Sequence, residues 1–188
     1  MIGNDLVDLH QAALDNNWQR KGFLHKVFTS PEQQLIQEAA SPNYMVWLLW
    51  SMKEASYKIV NRTKGFRSYN PTSFCCISLT NDRGDTSGIV SYGKNKFFIR
   101  SFYGVDFIHS IAVVSQQDFE HIHSHLLPNR PDYVEAFNSA LPDYVIRKST
   151  TGIPQMLHRS NHTTHAASIS HHGRHLAIIY SDVPLSGD

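Results

Sequence analysis

The side chains best suited to chemistry fall in three stretches. At the start, MIGNDLVDLHQ sets two carboxylates, Asp5 and Asp8, around the small residue Gly3. In the middle, WLLWSMKEASYK (47–58) brings together Lys53, Glu54 and Lys58. Toward the end, TGIPQM (151–156) and ASISHHGRHLAIIYSD (167–182) combine Gly152 and Pro154 with Ser168, Ser170 and His171. Glu54 and Lys58 are an i, i+4 pair in the favourable order, worth only a few tenths of a kcal/mol as a solvated surface pair. On a shared helix face with Lys53 they would instead put one carboxylate and two ammonium groups beside any ligand. Farther on, Lys64, Gly65 and Arg67 in a breaker-rich loop have the composition to bring amides and cations to a phosphate.

These groups need elements to hold them. Ile2, Leu6 and Leu9 around Gly3 predict a short strand running into a loop or helix. Residues 12–28 read as a loop or irregular helix carrying Arg20, Lys21 and Lys26. Ser30 then caps a helix, with Pro31 first, Glu32 in its first turn and Gln33 completing a capping box. Ser41-Pro42-Asn43 ends it and opens a central helix over 44–60, with Met45, Leu48, Leu49, Met52, Ala55, Ile59 and Val60 on one side. That leaves Trp50, Lys53, Glu54, Tyr57 and Lys58 on the other. NRTKGFRSYNP (61–71) reads as a loop. FCCISLT (74–80), GIVSY (88–92), KFFIRSFY (96–103) and HSIAVVS (109–115), separated by NDRGD, GKN and GVD turns, predict an antiparallel meander. Residues 117–142 are polar and His-rich, then helical, with Tyr133, Val134, Ala136, Phe137, Ala140 and Leu141 on one face. A helix followed by a meander indicates α+β architecture rather than a doubly wound parallel sheet.

Composition removes several classes of function. Seventeen basic against sixteen acidic residues, a net charge of +1, give no electrostatic case for nucleic acid or a membrane surface. A hydrophobic share of 41% with 18% charged residues is globular, and 188 residues suffice for a core without staples. The only cysteines, Cys75 and Cys76, are adjacent in a strand and point to opposite faces, which disfavours a disulfide and suits a reducing compartment. With no membrane-length apolar run and no basic, then apolar, leader at MIGND, a cytoplasmic protein is expected.

Taken in order, the stretches resemble the 4'-phosphopantetheinyl transferase superfamily, whose signatures are G-x-D-[IL]-(V/E) and W-x-x-K-E-A-x-x-K. Gly3 and Asp5 answer the first, and Trp50, Lys53, Glu54, Ala55 and Lys58 match every fixed position of the second. FLHKVFTSPEQQLI (23–36) resembles the segment between them. The family's G-x-P element and S-[IL]-S-H strand signature are matched at Gly152, Pro154, Ser168, Ser170 and His171. HSIAVVS (109–115) and RHLAIIYS (174–181) share an apolar-Ala-β-branched core, like one terminal strand repeated in two related modules. The resemblance therefore implies an α+β fold of antiparallel sheets packed with a long helix. It also implies a pseudo-dimer in one chain, with residues 1–116 bearing the carboxylates and 117–188 the coenzyme A elements. In surfactin-type members those modules come in the opposite order. The alternative is the short holo-acyl-carrier-protein synthase layout, in which separate chains form trimers.

The implied reaction moves 4'-phosphopantetheine from coenzyme A to a serine of an apo acyl or peptidyl carrier protein, releasing adenosine 3',5'-bisphosphate. By the same resemblance Asp5 and Glu54 hold Mg²⁺, and Asp5, Glu54 and Lys58 are catalytic. Lys53, Lys58, Lys64, Gly152, Pro154, Ser170 and His171 bind the coenzyme, Ser170 and His171 at its 3'-phosphate. Arg20, Lys21 and Lys26 face the carrier. The chain departs from the pattern at Val7, where surfactin-type members carry a third carboxylate. Asp8 points to the other side of the strand and cannot replace it, so water is expected there. At Ile153 a lysine is usual, so Arg147, Lys148 or Arg174 would supply that contact. These departures leave a non-catalytic coenzyme A or carrier-binding module as the alternative, and either Glu54 or a metal-polarised water as the base. His158, His162, His165, His171, His172 and His175 raise a separate idea, transition-metal storage or sensing, without the cysteine or carboxylate spacing of a zinc site. Which pathway's carrier is served is open.

Overall fold

In the computed structural model, which describes residues 1–65, 68–82 and 84–185, Ile2–Asp8 forms strand β1. Asp8 ends it by capping helix α1 (Leu9–Asp15), its carboxylate accepting from the His10 and Gln11 amides. Helices α2 (Phe23–Val27), α3 (Ser30–Glu38) and α4 (Pro42–Lys64) follow. The expected meander is β2 (Phe74–Asp82), β3 (Asp85–Tyr92), β4 (Asn95–Tyr103) and β5 (Phe107–Val113), and β1 adds antiparallel to β5. The second half contains β6 (Ile122–Pro128), α5 (Tyr133–Ala140), β7 (Tyr144–Lys148), β8 (Pro154–His158), β9 (Thr164–His172) and β10 (His175–Pro184). Phe66 and Arg67 of the breaker-rich loop and Arg83 of the NDRGD turn lie outside the described residues.

The two halves repeat one topology. The sheets run β1-β5-β4-β3-β2 and β6-β10-β9-β8-β7, the second order being the first with each strand number raised by five. Strands β5 and β10, whose sequences resemble each other, hold equivalent places. This is the α+β pseudo-dimer of two sheet modules. The halves differ in what lies between their first two strands: four helices including the 23-residue α4 in the first, the eight-residue α5 in the second.

Helix α4 is the axis of the core. Ser41 caps its start, Pro42 takes the first turn, and Gly65 closes it in the left-handed region at φ +71°. It runs four residues past the expected stretch, so Asn61 to Lys64 are helical and Arg62 falls one turn beyond Lys58. Leu48, Leu49, Met52, Ala55 and Ile59 pack on Val90, Ile99, Ile108 and Ala112 of the sheet. Its other flank is covered as well, by α2 and α3, and this overturns the expectation for Lys53. One residue is 100° of helix, so Lys53 joins the row Val46, Leu49 and Val60, whereas Glu54 joins Trp47, Trp50 and Lys58. Lys53 is 0% exposed and donates to Glu32 Oε2 (2.7 Å), Val27 O (3.0 Å) and Pro71 O (3.1 Å). Glu32 also accepts from the Thr29 and Cys76 amides, at 2.7 and 2.8 Å. Thr29, not Ser30, is therefore the cap residue of α3, with Glu32 rather than Gln33 completing its capping box.

A second difference is β6, within residues expected to be polar and then helical. It is an edge strand with a single neighbour, β10, and needs few apolar side chains. Cys75 and Cys76 are free thiols on opposite faces of β2, the second buried. Among the described residues no helix is long and apolar enough to cross a membrane.

The sheets meet at the open edge of β1, whose alternate amides have no strand to pair with. Asn4 N–H donates to Ser168 Oγ (3.2 Å), Leu6 N–H to Ser170 Oγ (3.0 Å) and Asp8 N–H to His172 Nδ1 (3.1 Å). Residues 168, 170 and 172 share one face of β9 because strand side chains alternate. The S-x-S-x-H spacing is thus a row of acceptors closing an exposed edge.

Candidate active site where the two sheets meet

Gly3 sets the spacing. A Cβ there would stand 2.2 Å from Ala55 O, so only glycine lets β1 and α4 come this close. One consequence is that Lys58 Nζ reaches Asn4 O (2.7 Å), Asp5 Oδ1 (3.3 Å) and, across the junction, Ile169 O (3.4 Å). Ser170 Oγ donates to Asp5 Oδ1 at 3.0 Å. Asp5 and Glu54 line one cavity of about 250 Å³ with Leu6, Phe23, Trp47, Trp50, His171 and His172. Lys58 lines a second, of about 440 Å³, with Arg62, Lys64, Gly152, Pro154 and Ser168. The Lys58–Asp5 contact thus links a residue of each cavity.

The charges are unbalanced. Burial raises the Asp5 carboxyl above its ordinary range, outweighing Lys58 and the Ser170 hydroxyl. Glu54 is pushed up to about 7, first by burial and then by the charge on Asp5, with Lys58 opposing. Two half-enclosed carboxylates against one ammonium are a site that gains from a cation. Among the described residues no group of three or more His, Cys, Asp or Glu side chains is arranged to hold a metal. That donor set fits an ion such as Mg²⁺, which takes one or two protein carboxylates and fills its octahedron with water and phosphate oxygens.

The residues named from sequence divide by place. Asp5, Glu54 and His171 share the smaller cavity, and Lys58, Lys64, Gly152 and Pro154 the larger. Ser170 is buried between them, its hydroxyl engaged by Asp5 and Leu6. Lys53 is not brought to the site. Gly152 adopts φ +81° in the turn joining β7 to β8, which explains the glycine. Arg174 is already committed, donating to Asp8 and pairing with Asp106 at 2.6 Å. The histidine tract is dispersed: His172 serves Asp8 N–H, His165 contacts Thr163 Oγ1, and His171 is exposed.

Two further residues belong to the site. Arg62 ties α4 to the second sheet by donating to Pro154 O and Ala167 O, with its Nε buried and unpartnered. Its only sequence signal is a cation one turn after Lys58. Tyr69 packs on Trp50 and Tyr57, and its buried, unpartnered hydroxyl is raised by burial and by Glu54 and Asp5. It comes from a loop that sequence periodicity does not place.

The family model for the 4'-phosphopantetheinyl transferase superfamily matches residues 1–112, more than half of the chain and all of β1 and α4. The chain belongs to that superfamily. As a member of a group of phosphopantetheinyl transferases it carries Asp5, Glu54 and Lys58 inside the matched region, with Gly152, Pro154 and Ser170 beyond it. No curated protein sequence matches. Among solved structures, holo-[acyl-carrier-protein] synthase of Thermotoga maritima aligns over 81% of this chain and 83% of its own, at 11% identity and a TM-score of 0.45.

Proposed function

We propose that this phosphopantetheinyl transferase moves 4'-phosphopantetheine from coenzyme A to a serine of an apo acyl or peptidyl carrier protein, in a Mg²⁺-dependent reaction. The observation that carries the reading is the pair Asp5 and Glu54 on one cavity wall, with Lys58 between them and a cation-lined cleft. Adenosine 3',5'-bisphosphate suits that cleft, where Lys58, Arg62 and Lys64 face the turn at Gly152. The serine hydroxyl oxygen bonds to the β-phosphorus as the bond to the bridging oxygen breaks, and the nucleoside bisphosphate leaves. Glu54, or a water polarised by the metal, accepts the serine proton. Lys58 neutralises phosphate charge as a point cation. Mg²⁺, held by Asp5 and Glu54, would stabilise the diphosphate as the bond breaks. Exposed Arg20, Lys21 and Lys26, near Phe23 at the smaller cavity, suit an acidic carrier surface. In this assignment residues 1–116 are the carboxylate module, 117–188 carry coenzyme elements, and the two sheets of a monomer stand in for two subunits.

Incubation with coenzyme A, Mg²⁺ and a panel of apo carriers should add one phosphopantetheine to a carrier by intact mass. Carriers that all stay unmodified while coenzyme A binds would reject the transferase. Val7 and Ile153, where the family pattern has a carboxylate and a lysine, favour the second reading, a non-catalytic coenzyme A or carrier-binding module. Glu54→Gln separates the two: loss of metal-dependent transfer excludes the binding module.

A further inference from the structure

We infer that Ser170 is a positioning residue for the Asp5 carboxylate, so that the second sheet orients the metal-binding group of the first. The inference rests on the transferase reading and assigns Ser170 a role other than a contact to the coenzyme's 3'-phosphate. A serine hydroxyl has one proton to donate and two lone pairs. Here the proton goes to Asp5 Oδ1 at 3.0 Å, and a lone pair accepts from Leu6 N–H at 3.0 Å. A phosphate oxygen needs a donor, and the only one on this side chain is engaged. Both partners of the hydroxyl are on β1, in adjacent residues, so the backbone of Leu6 and the side chain of Asp5 are held by one atom.

That atom is itself fixed. Ser170 is buried, and its strand pairs with β10 through Ser170↔Ala177. Lys58 approaches the same Oδ1 at 3.3 Å while also contacting Ile169 O of β9 at 3.4 Å. Asp5 Oδ1 is thus bound by both Ser170 and Lys58. Partners that orient a metal-binding carboxylate typically matter by about 10- to 100-fold in metal affinity.

Ser168 supplies an internal control. Its Oγ accepts from Asn4 N–H at 3.2 Å in the same row of acceptors and bonds to no carboxylate. Mn²⁺ affinity is measured directly, by loss of the free-ion electron paramagnetic resonance signal, on wild type, Ser170→Ala and Ser168→Ala, with melting temperature recorded for each. Coenzyme A affinity is measured separately in chelator. The expected result is an Mn²⁺ affinity about 10- to 100-fold weaker in Ser170→Ala, with wild-type affinity in Ser168→Ala and coenzyme A binding in chelator unchanged by Ser170→Ala. Ser170→Cys, which keeps the shape and loses most of the donor strength, should weaken Mn²⁺ in the same sense should the alanine variant fold poorly. Unchanged Mn²⁺ affinity in Ser170→Ala, or equal losses in both alanine variants, overturns the positioning role. So does a loss confined to coenzyme A, which would restore the phosphate contact. If wild type transfers phosphopantetheine while Ser170→Ala binds Mn²⁺ normally, the transferase reading survives without this inference. A wild type that binds no Mn²⁺ even with coenzyme A present removes both.

Discussion

Gly3 shows how much one missing side chain decides. Adding a methyl group collides with the backbone of Ala55, not with a side chain that can turn away. Gly3→Ala should lower stability by about 1–3 kcal/mol, measured by urea unfolding. Turnover should fall further, by roughly 100-fold, because Asp5 and Glu54 are displaced relative to each other by the widened gap. Glu54 gives the pH test. Its carboxyl lies near 4.5 when unfolded and about 7 when folded, so the folded state holds the proton more tightly. The stability this contributes is complete below pH 4.5 and is lost as pH rises through 7. In chelator at pH 8, Glu54→Gln should therefore melt above wild type, by up to about 3 kcal/mol, and the gap should close toward pH 4. At this scale the sequence was readable where a residue sits in a motif: Asp5 and Glu54 line one cavity and Lys58 bonds to Asp5. It misled for Lys53, because a lysine next to Glu54 on a helix looks solvated until Glu32 closes over it.

For the helices and strands, legibility followed local signals. The β2–β5 meander is marked by turns and β-branched residues and appears as expected. The end of α4 was misplaced because Asn61 and Thr63 are weak helix formers beside a breaker-rich loop, and tertiary contacts, among them Arg62 to the second sheet, help hold the last turn. Strand β6 escaped notice because its alternation is of histidine with small or apolar residues, and an edge strand is stabilised by one partner. Lys53 tests the element scale. It joins α4 to α2, α3 and the Pro71–Ser73 turn through three bonds. Lys53→Met leaves the Glu32 carboxylate buried without its cation and should cost about 3–5 kcal/mol in urea unfolding. A change within about 0.5 kcal/mol, as for a surface residue, would return Lys53 to the solvent face.

For the whole molecule, one strand order appears twice but the long helix bearing Glu54 and Lys58 once. The second unit keeps the strand order and replaces the 23-residue helix by one of eight residues, without the acid and lysine that face β1. What it contributes is β9, whose serines and histidine close the edge of β1. Calorimetry should accordingly give one coenzyme A and one Mn²⁺ per chain, whereas two of either would mean that the second unit has a site of its own. The repeat was legible in the paired β5 and β10 sequences. How the units meet was not, since contacts between residues 4–8 and 168–174 leave no local periodicity.

The most direct measurement is an anomalous difference map from crystals grown with coenzyme A and Mn²⁺. A single strong peak within coordination distance of both Asp5 and Glu54, beside the diphosphate and with the nucleotide along Lys58 and Arg62, is the predicted result. A peak on the histidines of 158–175, or a diphosphate bound away from those two carboxylates, would contradict it.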